Sequence, residues 1–331
     1  MGKADDGVVD FMADPVRYAD VVNHGLFAGN PVIDPLKLSE LDSVSREIPG
    51  IQKIRDIKRL YKDEAIFLVI GVEAQMHIHY AMPLRNLIYD AQTYEGQRKK
   101  IAKQHTKDKD LKLDEWLSSF SREDKLLPVI TLVVYYGTEP WDGPRTLHEM
   151  LAVSKELAVY QPLMMNYQLN LLEVMKIQNL DTYSDDLKMV FGFVKYQKDK
   201  EALWEFVNQN QELFTNVPLD TCRAIEAVAN TKEITEYMSR EKEKEEGVNV
   251  CEALRGIRED GREEGREEGA IGNRIELIRK KKQKNLDIKT IAEHVEESEE
   301  FVGLISQLIE ENPTADTDEL IKKYEAHKKA D

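Results

Sequence analysis

The feature that most constrains this chain is the stretch AIFLVIGVE at residues 65–73, with a second apolar run, PVITLVVYYG, at 128–137. Runs this short and this apolar, bounded by turn residues, are the pattern of strands buried on both faces of a sheet. The first run ends on Glu73, with Gln75 two positions later. Either that acid keeps a strand-to-helix junction soluble, or the junction holds it beside a reacting group. The preceding IQKIRDIKRLY at 51–61 alternates loosely, as a strand with one wetter face does, and KDE at 62–64 has turn chemistry. Together they form an antiparallel hairpin. Its turn lies midway between Asp56 and Glu73, so the two carboxylates are expected close to opposite each other, with facing Cβ atoms roughly 4.5–5.5 Å apart. Glu73 and Gln75, two apart on one strand, point to the same face.

After Gln75 the period changes. Leu84, Leu87, Ile88, Ala91 and Tyr94 recur at helical spacing, and Pro83 is tolerable only in a first turn, so the strand hands over to a helix between His77 and Pro83. A loop with Trp141 and Pro144 follows the 128–137 strand and leads to a short helix around TLHEML; a further strand is expected at 167–174. Upstream, Asp14 and Pro15 open a helix over 14–28, and Asp34–Pro35 repeats that start. From residue 183 onward the segments are helical. The expected fold class is α/β, a mixed sheet flanked by helices and followed by an all-helical C-terminal region. The organisation reads as a flexible 1–13, an α/β domain at 14–180, a helical extension at 181–246, a charged repeat at 247–272 and a small helical region at 273–331.

Within that repeat, Gly261, Gly265 and Gly269 fall every fourth residue, with Arg262 and Arg266 in step. Period four keeps each residue type near one helix face, yet each Gly costs a helix roughly 1 kcal/mol relative to Ala. A charged linker and a helix that orders on self-association are the two readings, and the second makes the C-terminal region a candidate for homo-oligomer formation. The sequence at 288–309 reads as a helical pair or a helix-turn-helix.

Composition narrows the function classes. The net charge of −16 argues against coating nucleic acid by bulk attraction. Two local basic runs stand against it, 97–112 with seven Lys/Arg to two Asp and 279–289 with six to one; a charge run is most often a solvated helix face. No apolar run approaches the roughly 20 residues of a membrane span, and MGKADDGVVD lacks the pattern of a leader, so a cytoplasmic location is expected. Cys222 and Cys251, without CxxC spacing, are read as ordinary helix residues.

Two facing acids with an amide beside them offer hard oxygen donors, which suit Mg²⁺ or Mn²⁺. Taken alone, D…ExQ arises often by chance in an acidic protein. The order around it is more specific. RDIKRLYKDEAIFLVIGVEAQMHIHYAMPLRNLIYDAQTY resembles the recombination-promoting nuclease/putative transposase family of the PD-(D/E)XK nuclease superfamily, as do RYADVVNHGLFAGNPVIDPLKLSELDS, PVITLVVYYGTEPWDGPRTLHEML and the GREEG tail. The resemblance spans roughly residues 14–174 and implies a restriction-endonuclease-like sheet. It also implies a metal-dependent endonuclease acting on DNA in a recombination or mobile-element setting. By it, Asp56 and Glu73 are metal ligands and the Ala74 carbonyl a third. Asp20 matches a region where an accessory acid often stands, and Gln75 takes the place where the superfamily usually has Lys. A glutamine positions water or phosphate but brings no positive charge, so the resemblance also admits a weakly active or inactive binding module.

For DNA, Arg85, Arg98, Lys99, Lys100 and Lys103 are the candidate contacts, Arg85 being equally readable as a solvated side chain. His77 and His79 share the parity of Glu73 but are read as surface residues, because a helix starting nearby would scatter them. Tyr135, Tyr136, Gly137 and Trp141 are read as packing at a strand end.

Overall fold

The computed structural model describes residues 3–41, 44–45, 53–54, 57–63, 67–108, 111–229 and 247–328. It divides into two compact units, Met1–Ala253 and Leu254–Asp331.

The first unit is built on a mixed sheet. Strands β1 (Leu38–Glu40), β4 (Ile57–Lys62), β5 (Phe67–Gln75), β6 (Val129–Tyr135) and β7 (Asn170–Glu173) lie in the order β1-β4-β5-β6-β7. The pairs β1–β4 and β4–β5 are antiparallel, and β5–β6 and β6–β7 are parallel. A two-residue pair, β2 (Val44–Ser45) with β3 (Lys53–Ile54), forms a separate ribbon. The expected hairpin is present, running from Lys62↔Phe67 to Ile57↔Val72. Glu73 is the next residue of β5 after that last described pair, as the sequence pairing requires. Asp56 lies outside the described residues.

Helices cover both faces. Thr131 of β6 bonds to Asp90 on helix α3 (Met82–Asp108), while the neighbouring Leu132 would meet a Cβ placed on Gly25 of α2 (Pro15–Phe27) at 2.7 Å. Successive strand residues point to opposite faces, so α2 and α3 lie on opposite sides of β6. The Asp14 side chain caps α2 by accepting from the Val16 and Arg17 amides, with Pro15 at the first position, and the Tyr18 hydroxyl donates to the Ile70 carbonyl of β5. That bond, with burial of Val21 and Val22, fixes α2 against the central strand.

After β7 the first unit is helical: α5 (Asp185–Tyr196), α6 (Lys200–Gln209), α7 (Gln211–Phe214) and α8 (Leu219–Ala229), with the short α4 (Leu113–Ser118) earlier in the chain. Arg17 joins this part to the N-terminal helices. Buried to 8% exposure, it pairs with Asp186 of α5 at 2.8 Å and with Asp220 of α8, and donates to the Phe11 carbonyl of α1 (Lys3–Met12). Gly192 lets α5 meet α6, because a Cβ there would lie 2.0 Å from the Phe206 ring. Gly192→Ala is therefore expected to destabilise the unit by about 1–3 kcal/mol through overpacking, measurable as a lower denaturation midpoint at unchanged slope.

The charged repeat is helical: α9 runs unbroken from Val250 to Lys282. The second unit closes a small core of its own, with Ile275 and Ile278 of α9 against Ile291 and Ala292 of α10 (Ile288–Val295), Val302 and Ile305 of α11 (Glu299–Glu311), and Leu320 and Ile321 of α12 (Thr317–Lys328). Part of the second basic run is used inside this unit. Arg279 donates to the Ala315 carbonyl at 2.8 Å, and Lys282 donates to the Ser306 carbonyl and pairs with Glu310, each at 2.7 Å. Among the described residues, no helix is long and apolar enough to cross a membrane.

Candidate active site at the end of strand β5

Strand β5 stays buried through Val69, Ile70, Gly71 and Val72, and its last residues are the candidate site residues Glu73, Ala74 and Gln75. Glu73 is 0% exposed and pairs in register with Val133 of β6; Gln75, half-buried, pairs with Tyr135. Pairing ends there. The chain bends through Met76–Ala81, the Met82 amide donates to the His79 carbonyl, and α3 begins. A tight apolar cluster anchors that start: Met82, Val133, Tyr135, Trp141 and Leu169, with Tyr135 and Trp141 edge to face at 5.2 Å. The aromatics at the end of β6 are thus packing residues, as expected. His77 is exposed and His79 half-buried, both beyond the strand end, so the four polar groups do not share a strand face.

Anchoring α3 at Met82 brings its first turn back over Glu73. Arg85 Nη2 lies 3.4 Å from Glu73 Oε2, and Arg85 Nε donates to the Tyr89 hydroxyl at 2.8 Å with the guanidinium 5.4 Å from that ring's centroid. One turn further, Asp90 accepts hydrogen bonds from Thr131 Oγ1 and the Tyr167 hydroxyl, each at 2.6 Å. Asn86, Gln92 and Thr93 of the same helix are also buried. The helix therefore turns polar side chains to the sheet. The expected apolar stripe is not what is buried: Leu84 is 42% exposed and Ala91 is exposed, while Leu87, Ile88 and Tyr94 are intermediate. Asn86 and Asp90 are four apart, the spacing of one helical face, and that periodicity of polar residues was the available signal for a face that sequence reasoning missed.

The Ala74 carbonyl accepts a hydrogen bond from its neighbour's side chain, Gln75 Nε2, at 2.9 Å. The donors at this strand end are a buried carboxylate, a main-chain carbonyl and a side-chain amide. These are hard oxygen chemistry and fit Mg²⁺ or Mn²⁺ better than a softer ion. Among the described residues no group of three His, Cys, Asp or Glu side chains gathers as a metal cluster. Asp20 is engaged elsewhere: it pairs with His24 at 2.9 Å and accepts from the Ser184 amide at 2.7 Å, at the start of α5.

The basic run lies on the distal half of α3. Lys99, Lys100 and Lys103 are exposed, whereas Arg98 is held by Glu95 through two bonds of 2.8 Å. The Arg98 bond pulls the Glu95 carboxyl below its ordinary range. At ~1.5 Å rise per residue, Lys100 and Lys103 stand roughly 20–27 Å along the helix from Arg85.

Glu173, at the end of β7, is a buried acid that sequence reasoning did not single out. Burial pushes its carboxyl up, but hydrogen bonds from Lys176, Arg145 and the Trp141 amide together hold it below the ordinary value of 4.5. Its stabilisation is therefore complete above that value and is lost as pH falls through the lower folded value. Glu173→Gln should flatten the acid limb of the stability curve, followed by denaturant midpoints between pH 3 and pH 7.

Residues 62–222 match the model of a family described as "Putative transposase, YhgA-like". The match is a similarity of this stretch to that family. The resemblance carried by the sequence motifs is thereby borne out, for a segment running from the end of β4 into α8. Glu73, Ala74, Gln75, Arg85 and the 98–103 cations fall inside the match; Asp20 and Asp56 lie before it. No curated protein and no solved structure matches the chain.

Proposed function

We propose that the first unit is a metal-dependent DNA endonuclease working in a mobile-element or recombination setting. The observation that supports this most is Glu73: a fully buried carboxylate at the end of the central strand of a mixed sheet, within a transposase-family segment. Carboxylates are seldom wholly buried without a charged partner or an ion. In this reading Asp56 and Glu73 hold the ion, with the Ala74 carbonyl as a third donor. When bound, a divalent cation activates water and offsets charge on the leaving oxygen. Gln75 orients water or phosphate through its amide. Lys99, Lys100 and Lys103 hold the duplex at a distance of six to eight base pairs at ~3.4 Å each, so binding weakens steeply with salt.

One observation favours a weaker relative of this activity. The Gln75 amide is turned onto the Ala74 carbonyl and adds no positive charge. A nuclease-fold binding module is the corresponding second reading.

Supercoiled plasmid with Mg²⁺ or Mn²⁺ separates them. Wild type should cut, Asp56→Ala should not, and Gln75→Lys should cut faster than wild type. No cutting by wild type with either ion would reject the enzyme and leave the binding module.

A further inference from the structure

We propose that Arg85 is a positioning residue that acts as the resident counter-cation of Glu73, holding in the ion-free protein the charge that a divalent ion supplies when it binds. The proposal deepens the metal-dependent reading above and rests on it.

The Glu73 carboxylate is 0% exposed at the end of an apolar strand, and an ionised carboxylate there is costly unless a positive charge stands near it. Arg85 supplies one from the first turn of α3. The contact is a loose one. At 3.4 Å it is longer than the ~2.7–2.9 Å of a tight charge-assisted bond. The guanidinium is instead held on its own helix, by the 2.8 Å bond to Tyr89 and by lying over that ring. Arg85 is thus tied to Tyr89 on its own helix and lends Glu73 its field. Its side chain is 25% exposed, so it reaches solvent on its far side. This arrangement stabilises the carboxylate without locking it, and a divalent ion displaces the field of Arg85 more than a pair of bonds. It also answers the deficit at Gln75, since a positive charge enters from the helix instead of the strand. On ion binding the guanidinium is left free to face a phosphate.

The expected consequence is competition. Removing the Arg85 charge lowers stability in chelator and raises affinity for the ion. Thermal unfolding of the full chain tests this with wild type, Arg85→Gln, Arg85→Lys, Glu73→Gln and the Arg85→Gln/Glu73→Gln double variant, in EDTA and across a Mn²⁺ series. In EDTA, Arg85→Gln should melt below wild type, and the loss should shrink when Glu73 is already Gln. The Mn²⁺ concentration that gives half the stabilising shift should fall about tenfold or more in Arg85→Gln, while Arg85→Lys, which keeps the charge, stays near wild type. An unchanged Mn²⁺ midpoint in Arg85→Gln, or a melting loss in EDTA that is independent of Glu73, overturns the proposal. If wild type cuts plasmid while that midpoint is unchanged, only the role of Arg85 falls. If wild type neither cuts nor responds to Mn²⁺, both readings fall.

Discussion

Glu73→Gln is expected to reduce metal-dependent plasmid cutting by about 10³-fold or more while leaving the protein folded. The substitution keeps the volume and removes one charge from a position with 0% exposure. An ion ligand lost from a nuclease site removes several kcal/mol of transition-state stabilisation, and each ~1.4 kcal/mol is a factor of ten. Stability should move the other way or not at all. Desolvating a carboxylate is costly, and its partner Arg85, at 25% side-chain exposure, can be solvated when the acid is gone. Cutting rates and thermal midpoints on the same preparations therefore separate a chemical role from a structural one. Parallel loss of both would assign Glu73 to folding.

Asp90→Ala should produce the opposite pattern, a large loss of stability. Asp90 is 7% exposed and accepts two hydrogen bonds of 2.6 Å, from Thr131 in the centre of β6 and from Tyr167 before β7. Alanine removes a charged acceptor and leaves two hydroxyls in or near the core without it. At about 1.5–3 kcal/mol per hydrogen bond to a charged group, the loss is about 3–6 kcal/mol. For a unit of this size that lowers the melting temperature by about 10 °C. Asp90→Asn retains an acceptor and should lose less than half as much. Equal stability of wild type and Asp90→Ala, measured by urea unfolding, would show that α3 is held to the sheet by its apolar contacts alone.

These two residues mark where the sequence was legible and where it was not. The β4–β5 hairpin could be read because its strands obey a period of two and a turn separates them, and the observed pairing keeps the expected register as far as Ile57↔Val72. The start of α3 could be read because Pro83 tolerates only a first turn. The inward face of α3 could not. Helical reading assigns apolar residues to the core, but Asn86, Asp90 and Thr93 are buried and Leu84 is exposed; for Asp90 the reason is that Thr131 of β6 and Tyr167 before β7, both far away in sequence, offer it polar partners. Arg85 shows the same limit. From sequence it is a phosphate contact or a solvated side chain, and only the anchoring of Met82 against Val133 and Trp141 turns it toward Glu73. The glycine repeat reads from sequence equally as a linker and as a helix. The α9 helix spans it and continues into Ile275 and Ile278, which are buried, while Cβ atoms added at Gly265 and Gly269 would meet nothing within 4 Å. Burial of the C-terminal end of α9 offsets glycine's low helix propensity.

The central claim is that the carboxylate closing β5 holds a divalent ion. Calorimetric titration of Mn²⁺ into the purified full chain tests it most directly. The account predicts saturable binding in wild type that disappears in Glu73→Gln and survives in Asp20→Asn, whose carboxylate is already engaged by His24 and Ser184. Binding undiminished in Glu73→Gln would contradict it.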